Sequence, residues 1–168
     1  MKKCIFLALA AMVALLPASA KEKPTFDPNQ AATFGAHISA GDGIALGVQA
    51  QYNLDEPIRL EGRVATRLAH FPNISFGVNG HYLFPINKQF TLYPVVGVEA
   101  GLGNAPGYIG ANFGGGAQLE LTNNIFLTTE LTELISTFST GRLTVGMHYR
   151  FESTELEEKR LKRQKMLL

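Results

Sequence analysis

The chain contains a single cysteine, Cys4, and no tryptophan. Cys4 lies in the N-terminal apolar stretch, so a chain that has lost this stretch has no cysteine at all. Disulfides, thiolate metal sites and cysteine nucleophiles are then excluded. After residue 20 no apolar run is long enough for a membrane-spanning helix, so entry into a bilayer would have to be by strands. Charge is also scarce. Asp, Glu, Lys and Arg make up 17% of the chain, below the roughly 25% usual in soluble domains. Residues 21–151 hold eight Lys/Arg against ten Asp/Glu, a net of −2, and residues 152–168 hold five against four. Neither balance suggests a nucleic-acid partner. No cofactor motif stands out: Gly110-Ala-Asn-Phe-Gly-Gly-Gly116 lacks the lysine and helix of a phosphate loop.

What is present begins with a secretory signal. Lys2 and Lys3 precede an apolar run that ends in Ala18-Ser-Ala20, a small-residue cleavage site, so cleavage is expected near Ala20. Cys4 precedes the run instead of following it and is no lipoprotein acylation site. About 148 of the 168 residues remain, enough for one domain. Residues 21–31, with two prolines and no period, read as an N-terminal leader.

From residue 32 a period of two takes over. It is clearest in Gly141–Phe151, where Leu143, Val145, Met147, Tyr149 and Phe151 alternate with Arg142, Thr144, Gly146, His148 and Arg150. The same alternation recurs eight times, at about 32–40, 44–53, 58–70, 74–84, 89–102, 108–121, 125–135 and 141–151. Turn residues separate the segments, among them Gly41-Asp-Gly43, Asp55-Glu-Pro57 and Gly103-Asn-Ala-Pro-Gly107. Pro94 interrupts the fifth segment and predicts a β-bulge there.

Several segments reach the nine to eleven residues that a tilted membrane strand requires. The charges also keep parity: Arg59, Glu61, Arg63, Arg67, Glu99, Glu120, Glu130, Arg142 and Arg150 all share the polar face, and Glu133 alone breaks the rule near a strand end. An arginine facing lipid at midplane costs about 2–4 kcal/mol, so a bilayer would enforce this segregation. The pattern implies an all-β, eight-stranded antiparallel up-and-down transmembrane barrel over 32–151, oily outside. Its lumen would be narrow, and the nine charged residues would pair there as an Arg/Glu network, with Gln and His completing the hydrogen bonds. His148 is expected to face His37 across the closing seam. Phe34, Tyr52, Phe84, Phe90, Tyr149 and Phe151 would form an aromatic girdle on the side of the termini, and Phe71, Tyr108 and Phe138 one at the other rim.

The signal, the eight alternating segments and the ending Met147-His-Tyr-Arg-Phe151 resemble the small outer-membrane β-barrel superfamily, the OmpA/OmpX-like eight-stranded membrane domains of Gram-negative bacteria. The resemblance implies the cell outer membrane as location, outer-membrane lipids as surroundings and a monomer. It also implies that Tyr149 and Phe151 form the signal read by the barrel assembly machinery. Two features depart from the pattern: all loops are short, and the chain continues past Phe151. Residues 152–168 read as a short helical tail, with Ser153 as cap and Glu155–Lys159 and Glu158–Lys162 at helical spacing. Its basic cluster could engage a periplasmic partner or peptidoglycan.

A structural or interaction role with a plugged lumen and no enzymatic activity is the expected function. The alternatives are a narrow pore, a lipocalin-like soluble carrier and a lipid A deacylase-like enzyme. The last would use a lipid-facing His-x-Ser pair. His37-Ile-Ser39 has the spacing, but its parity points inward.

Overall fold

The computed structural model describes residues 32–55, 57–68, 73–103, 107–122 and 124–151. The expected signal peptide, leader and helical tail lie outside the described residues. Within them every regular element is a strand: β1 (Ala32–Ala40), β2 (Ile44–Asp55), β3 (Ile58–Arg67), β4 (Asn73–Tyr82), β5 (Phe84–Pro85), β6 (Phe90–Gly103), β7 (Tyr108–Glu120), β8 (Ile125–Ile135) and β9 (Ser139–Arg150). No helix among the described residues is long and apolar enough to cross a membrane.

Apart from β4 and β5, each strand pairs antiparallel with its sequence neighbours, and two further pairings close the ring, β1 with β9 and β4 with β6. The nine elements form eight staves. β5 is the continuation of β4: His81 pairs with Val95 and Phe84 with Leu92, which is one unbroken register. The ladder is interrupted only opposite Tyr93 and Pro94, and the proline has no N–H to donate. The expected bulge is therefore absent. The proline is accommodated by a gap in the ladder on one side, while Pro94 stays in register with Gly115 on the other. Leu83, at the gap, donates its N–H to Pro57 O at 2.8 Å.

Following the pairings round the ring from Ser75, through Ala65, Gly47, His37, Gly146, Thr128, Gln118 and Thr91, the path returns to the starting stave at Pro85. That is ten residues along (75 to 85), a shear that tilts the strands by about 35–45°. The connections are short at both rims. At the rim away from the termini, Gly43 turns the chain at a φ of 155°, which side-chain-bearing residues rarely adopt. At the terminal rim, Asn87 Oδ1 accepts from the N–H groups of Gln89 and Phe90, both at 2.8 Å.

Alternation along tilted strands turns the usual soluble protein inside out. Glycine aside, the described buried residues number eighteen polar or charged and six apolar, whereas thirty large apolar side chains are exposed. Val96, Val98, Leu102 and Ile109 stand more than half exposed on the outer wall. Phe34, Tyr52, Phe84, Tyr149 and Phe151 are exposed near the rim of the termini, and Tyr149 and Phe151 pack edge to face, with ring centroids 5.3 Å apart. Tyr108 departs from the expected girdle. Its position is on the inward parity of β7, and its hydroxyl donates to Glu99 Oε1 at 2.7 Å.

Candidate functional site

The lumen holds the chemistry, in three layers along the barrel axis. The middle layer is built on β3, which places Arg59, Glu61 and Arg63 inward at successive alternate positions. Glu61 accepts from Arg63 Nε, Gln51 Nε2 and Asn79 Nδ2, each at 2.9 Å. Arg63 crosses the lumen and donates Nη2 to Glu130 Oε2 of β8 at 2.7 Å. Glu130 also accepts from the Tyr93 hydroxyl at 3.1 Å. These side chains are almost wholly buried. In so dry a place, pairing and full hydrogen bonding make ionised groups tolerable.

Arg59 takes a different route from the expected carboxylate pairing. Its Nε donates to His81 Nδ1 at 3.0 Å and its Nη1 to Gln118 Oε1 at 2.6 Å, while its guanidinium lies 4.7 Å from the Tyr93 ring centroid. An arginine can only donate, so His81 Nδ1 carries the lone pair and a neutral ring bears its proton on Nε2. That nitrogen lies 4.0 Å from Glu130 Oε1. His81 thus stands between Arg59 and Glu130. Glu61, His81 and Glu130 also have ligand atoms within 4.8 Å of one another. The Arg63 guanidinium bridges the two carboxylates, so the cationic partner of this cluster is already supplied by the chain.

At the terminal rim, Arg150 grips Glu120 with two nitrogens, at 3.0 and 2.6 Å, and Gln118 Nε2 donates to Glu120 Oε1 at 2.7 Å. At the opposite rim, Arg142 binds Glu99 through Nη1 at 3.0 Å and Nη2 at 2.8 Å, and Arg67 pairs with Asp42 at 2.6 Å. Here β2 and β3 present the small side chains of Ala45 and Ala65, leaving a cavity of about 20 Å³. That is room for about one water molecule.

Bulk in the lumen is matched by glycine on the neighbouring strand. His37 is opposite Gly47 and Gly146, and His148 is opposite Gly35. The two histidines are therefore staggered, and the expected face-to-face pair does not form: an added Cβ at Gly35 would strike the His148 ring, and one at Gly47 the His37 ring. His148 instead stacks on Phe126, with centroids 4.8 Å apart and planes 4° from parallel, and contacts Thr128 Oγ1 at 3.1 Å. Gly116 opens the space for Tyr93 in the same way.

All nine charged residues singled out by parity are on strands whose inward positions they occupy. The structure joins Arg63 with Glu61 and Glu130, Arg142 with Glu99 and Arg150 with Glu120, and sends Arg67 to Asp42. Asp42, Tyr93 and Asn79 are not among the residues singled out from the sequence, and Tyr108 is expected there only as a girdle residue. Their inward parity was visible for the strand residues, but a turn carboxylate has no parity to read. Glu133 faces outward near the rim, where it accepts from Ser139 Oγ at 2.6 Å. His37 and Ser39 are both buried inside, away from the outer wall that a lipid-facing pair would need.

No protein-family model matches the sequence, and none of the curated proteins matches it. Solved structures do. The N-terminal β-barrel domain of Pseudomonas aeruginosa OprF superposes with a TM-score of 0.64 at 16% identity, covering 73% of this chain and 98% of that one. A de novo designed transmembrane β-barrel gives 0.62 at 16% identity, over 77% and 98%. Neisserial surface protein A gives 0.56 at 15% identity, over 71% and 96%. A natural domain and a designed one share the architecture, so the likeness speaks to fold and not to task. The chain has the fold of the small eight-stranded outer-membrane β-barrels.

Proposed function

We propose that the chain is an integral outer-membrane barrel with a structural or interaction role, its lumen plugged by the Arg/Glu network. The observation that carries this reading is the segregation around the whole ring. Among the described residues, thirty large apolar side chains face out while the charged groups of all three layers face in. Strands of 9 to 14 residues, β5 aside, are long enough for a hydrocarbon core. Arg63, bonded to strands on both sides of the lumen, blocks the axis at its middle. Outer-membrane lipids surround the wall, and Tyr149 and Phe151, exposed at the end of the last strand, are the element offered to the assembly machinery. The short turns leave little surface beyond the bilayer, so partner contact falls to the tail 152–168 on the periplasmic side, with a periplasmic protein or peptidoglycan as its object.

Outer-membrane fractionation with heat-modifiable gel migration tests insertion. A soluble protein with no heat shift rejects the reading. Planar-bilayer recording is expected to give no sustained conductance, whereas steady single-channel steps would make the protein a narrow pore. Deleting 153–168 should abolish peptidoglycan or partner capture and leave the heat shift intact.

A further inference from the structure

We propose that the cavity beneath the Asp42–Arg67 ion pair is a binding site for a phosphate group, and that Asp42 competes with this ligand from within the chain. The cavity exists because Ala45 and Ala65 are small where Arg67 and Arg142 reach over them, and Arg63 closes it from below. The three guanidiniums are not equally committed. Arg63 is held between Glu61 and Glu130. Arg142 is clamped by Glu99, whose side chain is 1% exposed and takes further hydrogen bonds from Tyr108 and Asn112. Arg67 is held by Asp42, and their side chains are 22% and 41% exposed. An open pair of this kind exchanges readily. Asp42 also sits on a turn between Gly41 and Gly43.

The remaining hydrogen-bonding capacity in the lining favours an anion. His37 Nδ1, in a residue only 5% exposed, and Arg142 Nε are buried without a hydrogen-bond partner among the described residues. Arg142 Nε can only donate, and His37 Nδ1 donates in one tautomer. Two carboxylates, Asp42 and Glu99, also line the cavity. Glu99 is spent on Arg142, Tyr108 and Asn112, so an oxyanion that displaces Asp42 would meet the Arg67 guanidinium, whose planar fork suits two oxygens. The cavity alone has room for about one water, so a phosphate enters only by taking the place of the Asp42 carboxylate, whose Oδ2 lies 2.6 Å from Arg67 Nη1. That the cavity opens to the cell exterior rests on the membrane orientation proposed above. Binding itself does not, so a detergent experiment separates the two readings.

The test uses the full chain, refolded in neutral detergent and checked for heat-modifiable migration. Inorganic phosphate is titrated against chloride at matched ionic strength while the His37 ring and Arg67 Nε resonances are followed. Saturable shifts with phosphate alone are expected. Asp42→Asn should tighten binding about tenfold by releasing molecules in which Asp42 occupies Arg67. Arg67→Gln should remove saturation, and Arg67→Lys, which keeps the charge but not the fork, should weaken it if the Gln variant does not fold. Repeating the measurement in nanodiscs with and without lipopolysaccharide identifies the source of the phosphate. Saturation by inorganic phosphate assigns a free oxyanion, and shifts that appear only with lipopolysaccharide assign a headgroup. Linear shifts in both formats, equal responses to chloride, or an Asp42→Asn variant no different from the parent would overturn the proposal.

Discussion

The middle of the lumen and the rim away from the termini use the same pair of groups, guanidinium and carboxylate, to opposite effect. In the middle, Arg63 is enclosed by two carboxylates that are themselves filled by Gln51, Asn79 and Tyr93. At the rim, the Arg67–Asp42 pair is shorter than several of the buried contacts yet open to solvent. Distance does not distinguish them. What does is the alternative available to each partner when the contact breaks: water at the rim, and an uncompensated buried charge in the middle. The first arrangement is a latch and the second is a lock.

The largest expected effect tests the lock. Glu130→Ala leaves Arg63 half paired in a dry site and should lower stability by about 3–5 kcal/mol, read from equilibrium urea unfolding of the refolded barrel. A loss below 1 kcal/mol would mean that water reaches this layer and that the two regions do not differ. Next comes the premise that charge belongs inside. Val98→Arg places a guanidinium on the exposed outer wall and should cost about 2–4 kcal/mol in lipid vesicles. The same variant in a soluble protein would be close to neutral.

A smaller effect tests how the middle layer is packed. Gly116→Val drives methyl groups into the Tyr93 ring and should cost about 1–3 kcal/mol. Combining it with Tyr93→Ala should cost less than the two changes added separately, because the same space is at issue. The smallest effect belongs to the latch. Asp42→Asn should change unfolding stability by less than about 1 kcal/mol, even as it changes phosphate binding. A loss as large as that of Glu130→Ala would erase the distinction between the regions.

Much of this was legible in the residues. Alternation told which side chains share the interior, and it did so for Arg59, Glu61, Arg63, Glu99, Glu120, Glu130, Arg142 and Arg150 without knowledge of any contact. It also marked Glu133 as an outlier, and that residue is outside the barrel. The pairing partners were less accessible. Arg59 was expected to meet a carboxylate but meets His81 and Gln118. Pro94 was expected to force a β-bulge, yet the chain leaves two positions unpaired, opposite Pro94 and Tyr93, and keeps its register. Tyr108 read as a girdle residue because aromatics at rims commonly face lipid, but the Glu99 carboxylate draws its hydroxyl inward.

The sequence by itself determined the sidedness of every strand and the number of staves, because a period of two is a local property of extended backbone. Tertiary structure alone decided which charge meets which. That depends on the shear accumulated round the closed ring, ten residues by the time the path returns from Ser75 to Pro85. No single strand carries that number. It also decided that His37 and His148 stand opposite glycines instead of each other, and that Asp42 folds over the mouth of the lumen. A ring this narrow cannot seat two bulky groups abreast, so the register that closes it also sets the composition of each layer.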